Sequence, residues 1–290
     1  DQQRALERMQ TGIALLEQDI KCRRAFAVMN QAMLMQWQVA DNNKGSPKPA
    51  QVYQWRPFQL AFILMALEST ARENSSERDT LDLIWFPTGG GKTEAYLGLM
   101  AFAFVLRRLL YPGSGAGTAA IMRYTLRLLT TQQFLRANRV MMALELIRRD
   151  AASFSSGLGD SPFSSGIWVG NATSPNHFEE ARGLVERGMF SKLVLQACPW
   201  CDTPFKAENY VAGEHDFYFC CTHPECDFGR HPAPYNRLPC NVVDEALYKD
   251  PPTLLISTVD KFARFAWEAR ASVFLGGEHR RAPELVIQDE

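Results

Sequence analysis

The sequence predicts an α/β fold in which helices cover a parallel sheet and a helical segment comes first. Apolar runs of strand length alternate with helical patterns from residue 58 onward, as they do in βαβ units. A glycine-rich loop near residue 90 lies between an apolar run and a helical pattern, the usual setting of a phosphate-binding loop. Apolar side chains at helical spacing over residues 4–40 predict one or two amphipathic helices.

The remaining elements follow in chain order. We expect helices at 58–72, 93–110 and 131–149, where the apolar positions repeat with a helical period. Short apolar runs predict strands at 81–86, 119–124, 166–169, 253–257 and 285–288. Stretches rich in polar residues, proline and glycine at 41–49 and 153–165 predict exposed loops. The sequence thus predicts a helical segment with a linker over 1–49 and a nucleotide-binding domain over 50–290.

Composition narrows the class of protein. With 46% hydrophobic and 22% charged residues, the 290-residue chain has ordinary globular composition. Its longest uncharged apolar run, 95–106, is too short to cross a bilayer, and its first residues do not form a secretion leader. We therefore expect a cytoplasmic protein without a membrane partner. The net charge of −1 does not indicate nucleic acid, but residues 107–149 contain eight arginines and one acid, so any polyanion site is local.

The glycine-rich loop has the residue types that bind a nucleoside triphosphate. Successive glycines let backbone N–H groups close around phosphate oxygens, the lysine reaches the β- and γ-phosphates, and the threonine hydroxyl binds Mg²⁺. The full P-loop pattern has a glycine where this chain has Phe86. A glycine-rich turn without nucleotide is the alternative. The predicted ATP and Mg²⁺ contacts are Thr88, Gly89, Gly90, Gly91, Lys92 and Thr93.

Two adjacent acids follow the last apolar run. In a P-loop protein, Asp289 would hold Mg²⁺ through its water shell, and Glu290 would orient or deprotonate the attacking water. These acids and Lys92 are therefore the predicted catalytic residues. A solvent-exposed acidic end is the alternative. Because a natural terminus seldom falls at the carboxyl end of a core strand, we expect the sequence to be a fragment.

Four of the seven cysteines lie in one window with zinc-ribbon spacing. Two short pairs, with two and four residues between their cysteines, can each supply two thiolates to a tetrahedral ion. We expect a structural Zn²⁺ in an insertion over 196–232. Cys220 or His223 could replace a ligand, and disulfides are a further alternative, whereas Cys22 and Cys240 are expected to be plain buried residues. The predicted ligands are Cys198, Cys201, Cys221 and Cys226.

These motifs resemble those of superfamily 2 helicases and translocases. Pro-Thr-Gly before Gly-Gly-Lys-Thr is similar to their motif I, and Arg56 and Gln59 resemble the Arg-x-x-Gln element that recognises adenine. Residues 122–133 lie where these proteins have motif Ia, and 256–262 resemble their later Thr-x-Asp element. The resemblance implies a RecA-like fold. It also implies phosphate contacts by Arg123, Thr125, Arg127 and Thr258, for which a solvated basic face is the alternative.

The combination of motifs resembles the large helicase-like subunit of the DISARM anti-phage system, from about residue 20 to the end. The resemblance implies the N-terminal part of a bacterial DNA translocase, truncated after motif II. Its partners would be DNA, single-stranded or duplex with an overhang, and a second DISARM subunit. A second RecA-like domain beyond residue 290 would complete the ATP site. The alternative is an inactive zinc-ribbon module that binds DNA or acts as an interaction scaffold, and DNA versus RNA stays open.

Overall fold

The computed structural model of the chain describes residues 2–85, 87, 89–125, 127–150 and 156–289, with the backbone alone at 127–129. Contacts divide the chain into two units: Asp1–Gly115 with Ala151–Gly159, and Ala116–Asp150 with Asp160–Glu290. These units do not coincide with the predicted domains 1–49 and 50–290, which stay predictions. Within the described ranges, no helix is both long and apolar enough to cross a membrane.

The first unit is helical. Gly12 lies where its first and third helices meet, and a Cβ there would stand 2.0 Å from the Leu64 carbonyl oxygen, so the close crossing requires glycine. Asp19 separates the first two helices, and its carboxylate caps the second by accepting from two backbone N–H groups. The predicted helices of this region are confirmed. They are α1 (Gln2–Gln18), α2 (Ile20–Asn43), α3 (Pro57–Ala71) and α4 (Lys92–Leu110).

The predicted strand at 81–86 is wrong for the residues that the structure describes. Residues 81–85 belong to no strand, and Leu81, Leu83 and Trp85 are 88, 77 and 91% exposed. Alternating apolar residues suit a strand only where a neighbouring strand completes the hydrogen-bond ladder. Here the intervening Asp82 pairs with Arg8 of α1 at 2.6 Å, and the run stays outside a ladder. Phe86 lies outside the described residues.

The second unit contains a five-stranded, wholly parallel sheet in the order β5-β2-β6-β1-β7. The α/β fold class and four predicted strands are confirmed, as β1, β2, β6 and β7. The helix predicted at 131–149 begins earlier, at residue 127. The elements are β1 (Ala120–Tyr124), α5 (Arg127–Arg149), β2 (Ser165–Trp168), α6 (Phe178–Glu186), β3 (Tyr210–Ala212), β4 (Phe217–Phe219), β5 (Cys240–Asn241), α7 (Asp244–Lys249), β6 (Leu254–Thr258), α8 (Val259–Phe262) and β7 (Leu285–Asp289).

The strands of the sheet differ in burial and in what packs beside them. The central strand β6 is buried along its whole length, as expected for a parallel strand covered on both faces. An aromatic cluster around Trp168 and Phe274 packs beside it. Strand β7 is last in the order, and its Val286 is 57% exposed. The short strands β3 and β4 form a separate antiparallel pair inside the predicted insertion.

Candidate functional sites

The loop before α4 has a backbone that favours glycine. Gly89 and Gly91 have φ of +78° and +92°, in the left-handed region. Gly91 is also the N-cap of the 19-residue helix α4, so the positive end of that helix dipole lies at this loop. Both features are typical of an anion site. Thr88 lies outside the described residues, and its contact stays a prediction.

Arg56 and Gln59 hold this loop by its carbonyl groups. The Arg56 Nη1 donates to the Gly90 carbonyl oxygen at 2.7 Å, and the Gln59 Nε2 donates to that of Gly91 at 2.8 Å. The Gln59 Oε1 accepts from the Arg56 backbone N–H at 2.9 Å, and Gln59 is 4% exposed. The structure therefore brings Arg56 and Gln59 to the predicted phosphate loop. Their contact with adenine stays a prediction.

The first turn of α4 contains the predicted phosphate and Mg²⁺ ligands. Lys92 begins the helix, and Thr93 follows at 9% exposure. The Thr93 Oγ1 accepts a hydrogen bond from the Tyr96 hydroxyl at 3.1 Å, which leaves its own proton free to orient. The loop and this turn thus place a lysine and a hydroxyl at one helix N-terminus.

A contact that sequence reasoning missed joins α2 to the same turn. The Glu94 Oε2 accepts from the Trp37 Nε1 at 2.9 Å and from the Gln36 Nε2 at 3.2 Å. The Trp37 ring also meets the Trp55 ring edge-on at a centroid distance of 5.1 Å. No local pattern signals this contact, because its partners are 57 and 58 residues apart. The N-terminal helices therefore belong to the unit that contains the phosphate loop.

The first predicted catalytic acid ends β7, and the second follows it in the sequence. Asp289 is the last residue of that strand and stands in register opposite Tyr124 at the end of β1. The carboxyl ends of parallel strands are the usual place of ligand sites in such sheets. Glu290 lies outside the described residues. The joint action of the two acids with the phosphate loop stays a prediction.

The four predicted cysteine ligands converge. Their Sγ atoms all lie within 4.8 Å of one another, and those of Cys201 and Cys221 are 3.8 Å apart. A tetrahedral ion with Zn–S bonds of about 2.3 Å separates its sulfurs by about 3.8 Å. All seven cysteines are free, so the disulfide alternative is not supported. The Cys220 thiol instead donates to the Glu208 carbonyl at 3.4 Å, so the geometry favours Cys221 over Cys220 as the candidate ligand. The group could hold a metal ion.

Residues around the cluster hold its loops in place. The Arg139 guanidinium, on α5, donates to the Pro199 carbonyl at 2.8 Å and to the Asp202 carboxylate at 2.7 Å. A Cβ at Gly229 would lie 2.2 Å from the His223 carbonyl oxygen and 3.0 Å from the Cys221 Sγ. The hydrogen bonds that the Cys198 thiol donates to the neighbouring sulfurs, followed by burial, raise the pKa of Cys198. A dication would reverse this shift by stabilising thiolates, so the donor set suits a metal.

The residues predicted to contact nucleic acid lie at the carboxyl ends of β1 and β6, which are neighbours in the sheet. The Arg123 guanidinium lies 4.8 Å from the Phe262 ring centroid, and its Nε has no partner among the described residues. Thr125 is exposed. Thr258 is 4% exposed, and its hydroxyl accepts from the Lys261 backbone N–H at 3.3 Å, which caps α8. The side chain of Arg127 is outside the description, so its contact stays a prediction.

Comparison with known proteins gives a relative for nearly the whole chain. No protein-family model matches. The DISARM protein DrmA of Bacillus paralicheniformis is 37% identical over 310 aligned residues, which cover 97% of this chain. The chain spans only 27% of the length of that relative. Over almost all of its residues, the chain is therefore related in sequence to a DISARM protein.

Proposed function

We propose that the chain is the nucleotide-binding part of an ATP-dependent nucleic-acid translocase or helicase in bacterial anti-phage defence. The observation that supports it best is the loop before α4, in which Gly89 and Gly91 are left-handed. Arg56 and Gln59 hold this loop through the carbonyl groups of Gly90 and Gly91. The similarity to a DISARM protein supports the defence role. A second DISARM subunit and DNA are the proposed partners.

The proposed reaction is hydrolysis of ATP, and bound Mg²⁺ would neutralise charge on the transferred phosphoryl group. Lys92 holds the β- and γ-phosphates, and Thr93 offers its hydroxyl to the ion. Asp289 holds the ion through water, and Glu290 acts as the base. In this proposal the domain is RecA-like, and a second RecA-like domain elsewhere in the full-length protein completes the site.

The cysteine cluster is proposed to bind one structural Zn²⁺. Four thiolates fill a tetrahedral shell and leave no open position for water, so the ion would have no catalytic role. It would instead stabilise the insertion, because metal binding contributes directly to the folding free energy of such sites. The convergence of the four Sγ atoms within 4.8 Å supports this proposal.

Hydrolysis tests the proposed motor directly. ATPase activity of the full-length protein is measured with and without single-stranded and overhang DNA, for wild type, Lys92→Ala and the matched control Lys44→Ala at the exposed end of α2. Loss of the cation nearest the developing charge should reduce turnover at least about 10²-fold. Near-normal DNA-stimulated turnover in folded Lys92→Ala would contradict the assignment. Metal-loaded wild type that never hydrolyses ATP would instead favour the scaffold alternative.

Nucleic-acid binding is tested through its salt dependence. If Arg123 contacts a phosphate, Arg123→Gln should flatten the plot of log affinity against log salt by about 0.7 to 0.9 without changing sequence preference. Arg182→Gln on α6 is the control, because that arginine is part-exposed and lies on a different helix. A structural role beside Phe262 would lower the melting temperature and leave the slope unchanged. Parallel titrations with RNA decide which nucleic acid is preferred.

A further inference from the structure

One buried carboxylate has no part in the proposed reaction. Asp244, the first residue of α7, is 3% exposed, and its Oδ1 has no hydrogen-bond partner among the described residues. Its Oδ2 accepts from the Lys261 Nζ at 2.6 Å. Burial raises the pKa of the Asp244 carboxyl, and the Lys261 ammonium opposes that rise. A pair this buried gains little net stability over apolar packing, so a geometric role deserves a test.

The partner of this carboxylate belongs to the candidate nucleic-acid surface. The Lys261 ammonium lies 5.4 Å from the Trp168 ring centroid and 3.5 Å from the Asn176 Oδ1, in addition to its bond with Asp244. Its backbone N–H donates to the Thr258 hydroxyl, and the next residue, Phe262, supports the Arg123 guanidinium. The orientation of α8 is therefore set at two consecutive residues. One of them depends on Asp244.

The other side of α7 is attached to the cysteine insertion. The Asn241 Nδ2, just before the helix, donates to the Phe217 carbonyl in β4 at 2.7 Å. At the end of the helix, the Lys249 Nζ donates to the His215 carbonyl at 3.1 Å. Both acceptors lie in the hairpin between the two cysteine pairs. A continuous series of contacts thus runs from the insertion through α7 and Asp244 to α8.

We propose that Asp244 is a positioning residue that couples the cysteine insertion to the surface formed by Arg123 and Thr258. Its carboxylate fixes Lys261, and Lys261 fixes the helix whose N-cap and last residue build that surface. Asp244 itself is too buried to touch nucleic acid. The inference rests on the proposed function, because it assigns a coupling to the same surface.

Neutralising the carboxylate is the first test. Full-length Asp244→Asn is titrated with fluorescent single-stranded DNA, and the DNA concentration for half-maximal ATPase stimulation is measured. We expect the dissociation constant for DNA and the DNA concentration for half-maximal stimulation each to rise about two- to thirty-fold. This is the range of energetic coupling through packed contacts. ATPase at saturating DNA and the zinc content should stay unchanged. Asp250→Asn is the matched control, because it removes an exposed carboxylate at the C-cap of the same helix.

Rescue and coupling separate positioning from simple stability. Lys261→Arg keeps a cation beside Asp244 and should retain near wild-type DNA affinity, whereas Lys261→Met should reproduce the effect of Asp244→Asn. Asn241→Ala loosens α7 from the insertion and should also weaken DNA binding. In the double variant Asn241→Ala/Asp244→Asn the two effects should combine to less than their product, because both act through one helix.

The outcomes distinguish this inference from the function on which it rests. If wild type binds DNA, and Asp244→Asn and Asp250→Asn bind DNA with equal affinity, the inference fails and the motor assignment stands. If wild type neither binds DNA nor hydrolyses ATP, the proposed function fails. Should Asp244→Asn not fold, the comparison of Lys261→Arg with Lys261→Met decides, and equal DNA affinity of those two overturns the coupling.

Discussion

The cysteine cluster and the predicted phosphate loop are both encoded by short motifs, but the side chains that hold them come from very different stretches of chain. All four candidate ligand sulfurs come from 198–226 and already lie within 4.8 Å of one another. The predicted phosphate loop is held by Arg56, the N-cap of α3, and by Gln59 within that helix, both more than 30 residues upstream. A site built from one short segment is complete when that segment folds. A site built from separate segments depends on how those segments come together.

The largest expected effect is on metal content. Cys198→Ser removes one of four thiolates, so the zinc content of the full-length protein should fall from about one per chain to near zero, because structural Zn²⁺ sites depend on their complete shell. ATP affinity should stay unchanged if the two sites are independent. Metal analysis after purification without chelator measures this. Cys220→Ser is the control and should retain zinc; equal loss in both variants would contradict the ligand set.

The next effect concerns the phosphate loop. In Gly91→Ala the new Cβ would lie 2.8 Å from the Gln59 Nε2, on a backbone with φ of +92°. Backbone strain of about 1 to 3 kcal/mol should weaken ATP binding about 5- to 150-fold. Gly113→Ala is the control, because no atom lies within 4 Å of its added Cβ. Titration with a fluorescent ATP analogue measures affinity, and equal affinities of both variants would show that the loop tolerates a side chain.

A smaller effect tests whether the cysteine cluster depends on a residue outside the cysteine window. Arg139 lies outside the cysteine window but bonds to Pro199 and Asp202. Arg139→Ala should lower the free energy of unfolding by about 1 kcal/mol, because this partly exposed contact is screened by water. One zinc per chain should remain, with faster loss to a chelator. Arg136→Ala on the same helix is the control, and loss of zinc in Arg139→Ala would show that the cluster needs α5.

The smallest effect is a pH dependence beside the insertion. The hydrogen bond to Glu245 raises the pKa of His177, which is half-exposed. Because the pKa of His177 is raised in the folded state, the His177–Glu245 contact contributes its full stabilisation of the fold below the unfolded-state pKa of about 6.5. That stabilisation is lost as the pH rises through the folded-state pKa. The melting temperatures of wild type and His177→Gln should therefore differ more at about pH 5 than at about pH 8. His231→Gln, in the insertion, should show no such trend.

Much of the fold could be predicted because its signals are local. Helical spacing predicted α1 to α5 within a few residues, and short apolar runs predicted β1, β2, β6 and β7. The strand at 81–86 failed because its alternating leucines meet the sequence criterion for a strand, whereas a ladder needs a partner elsewhere in the chain. The short elements α7 and α8 had no detectable period. They contain the Asp244–Lys261 pair, which sequence reasoning therefore missed.

The sequence by itself determined which chemistry each local segment offers. The glycines before α4 and the spacing of the cysteines act through backbone freedom and ligand geometry within a few residues, so one chain is enough to recognise them. Only the tertiary structure decided that Cys221 rather than Cys220 joins the cluster, that Trp37 contacts Glu94, and that a buried carboxylate holds α8. These contacts depend on which surfaces pack together, and packing is set by the whole core rather than by neighbours in the sequence.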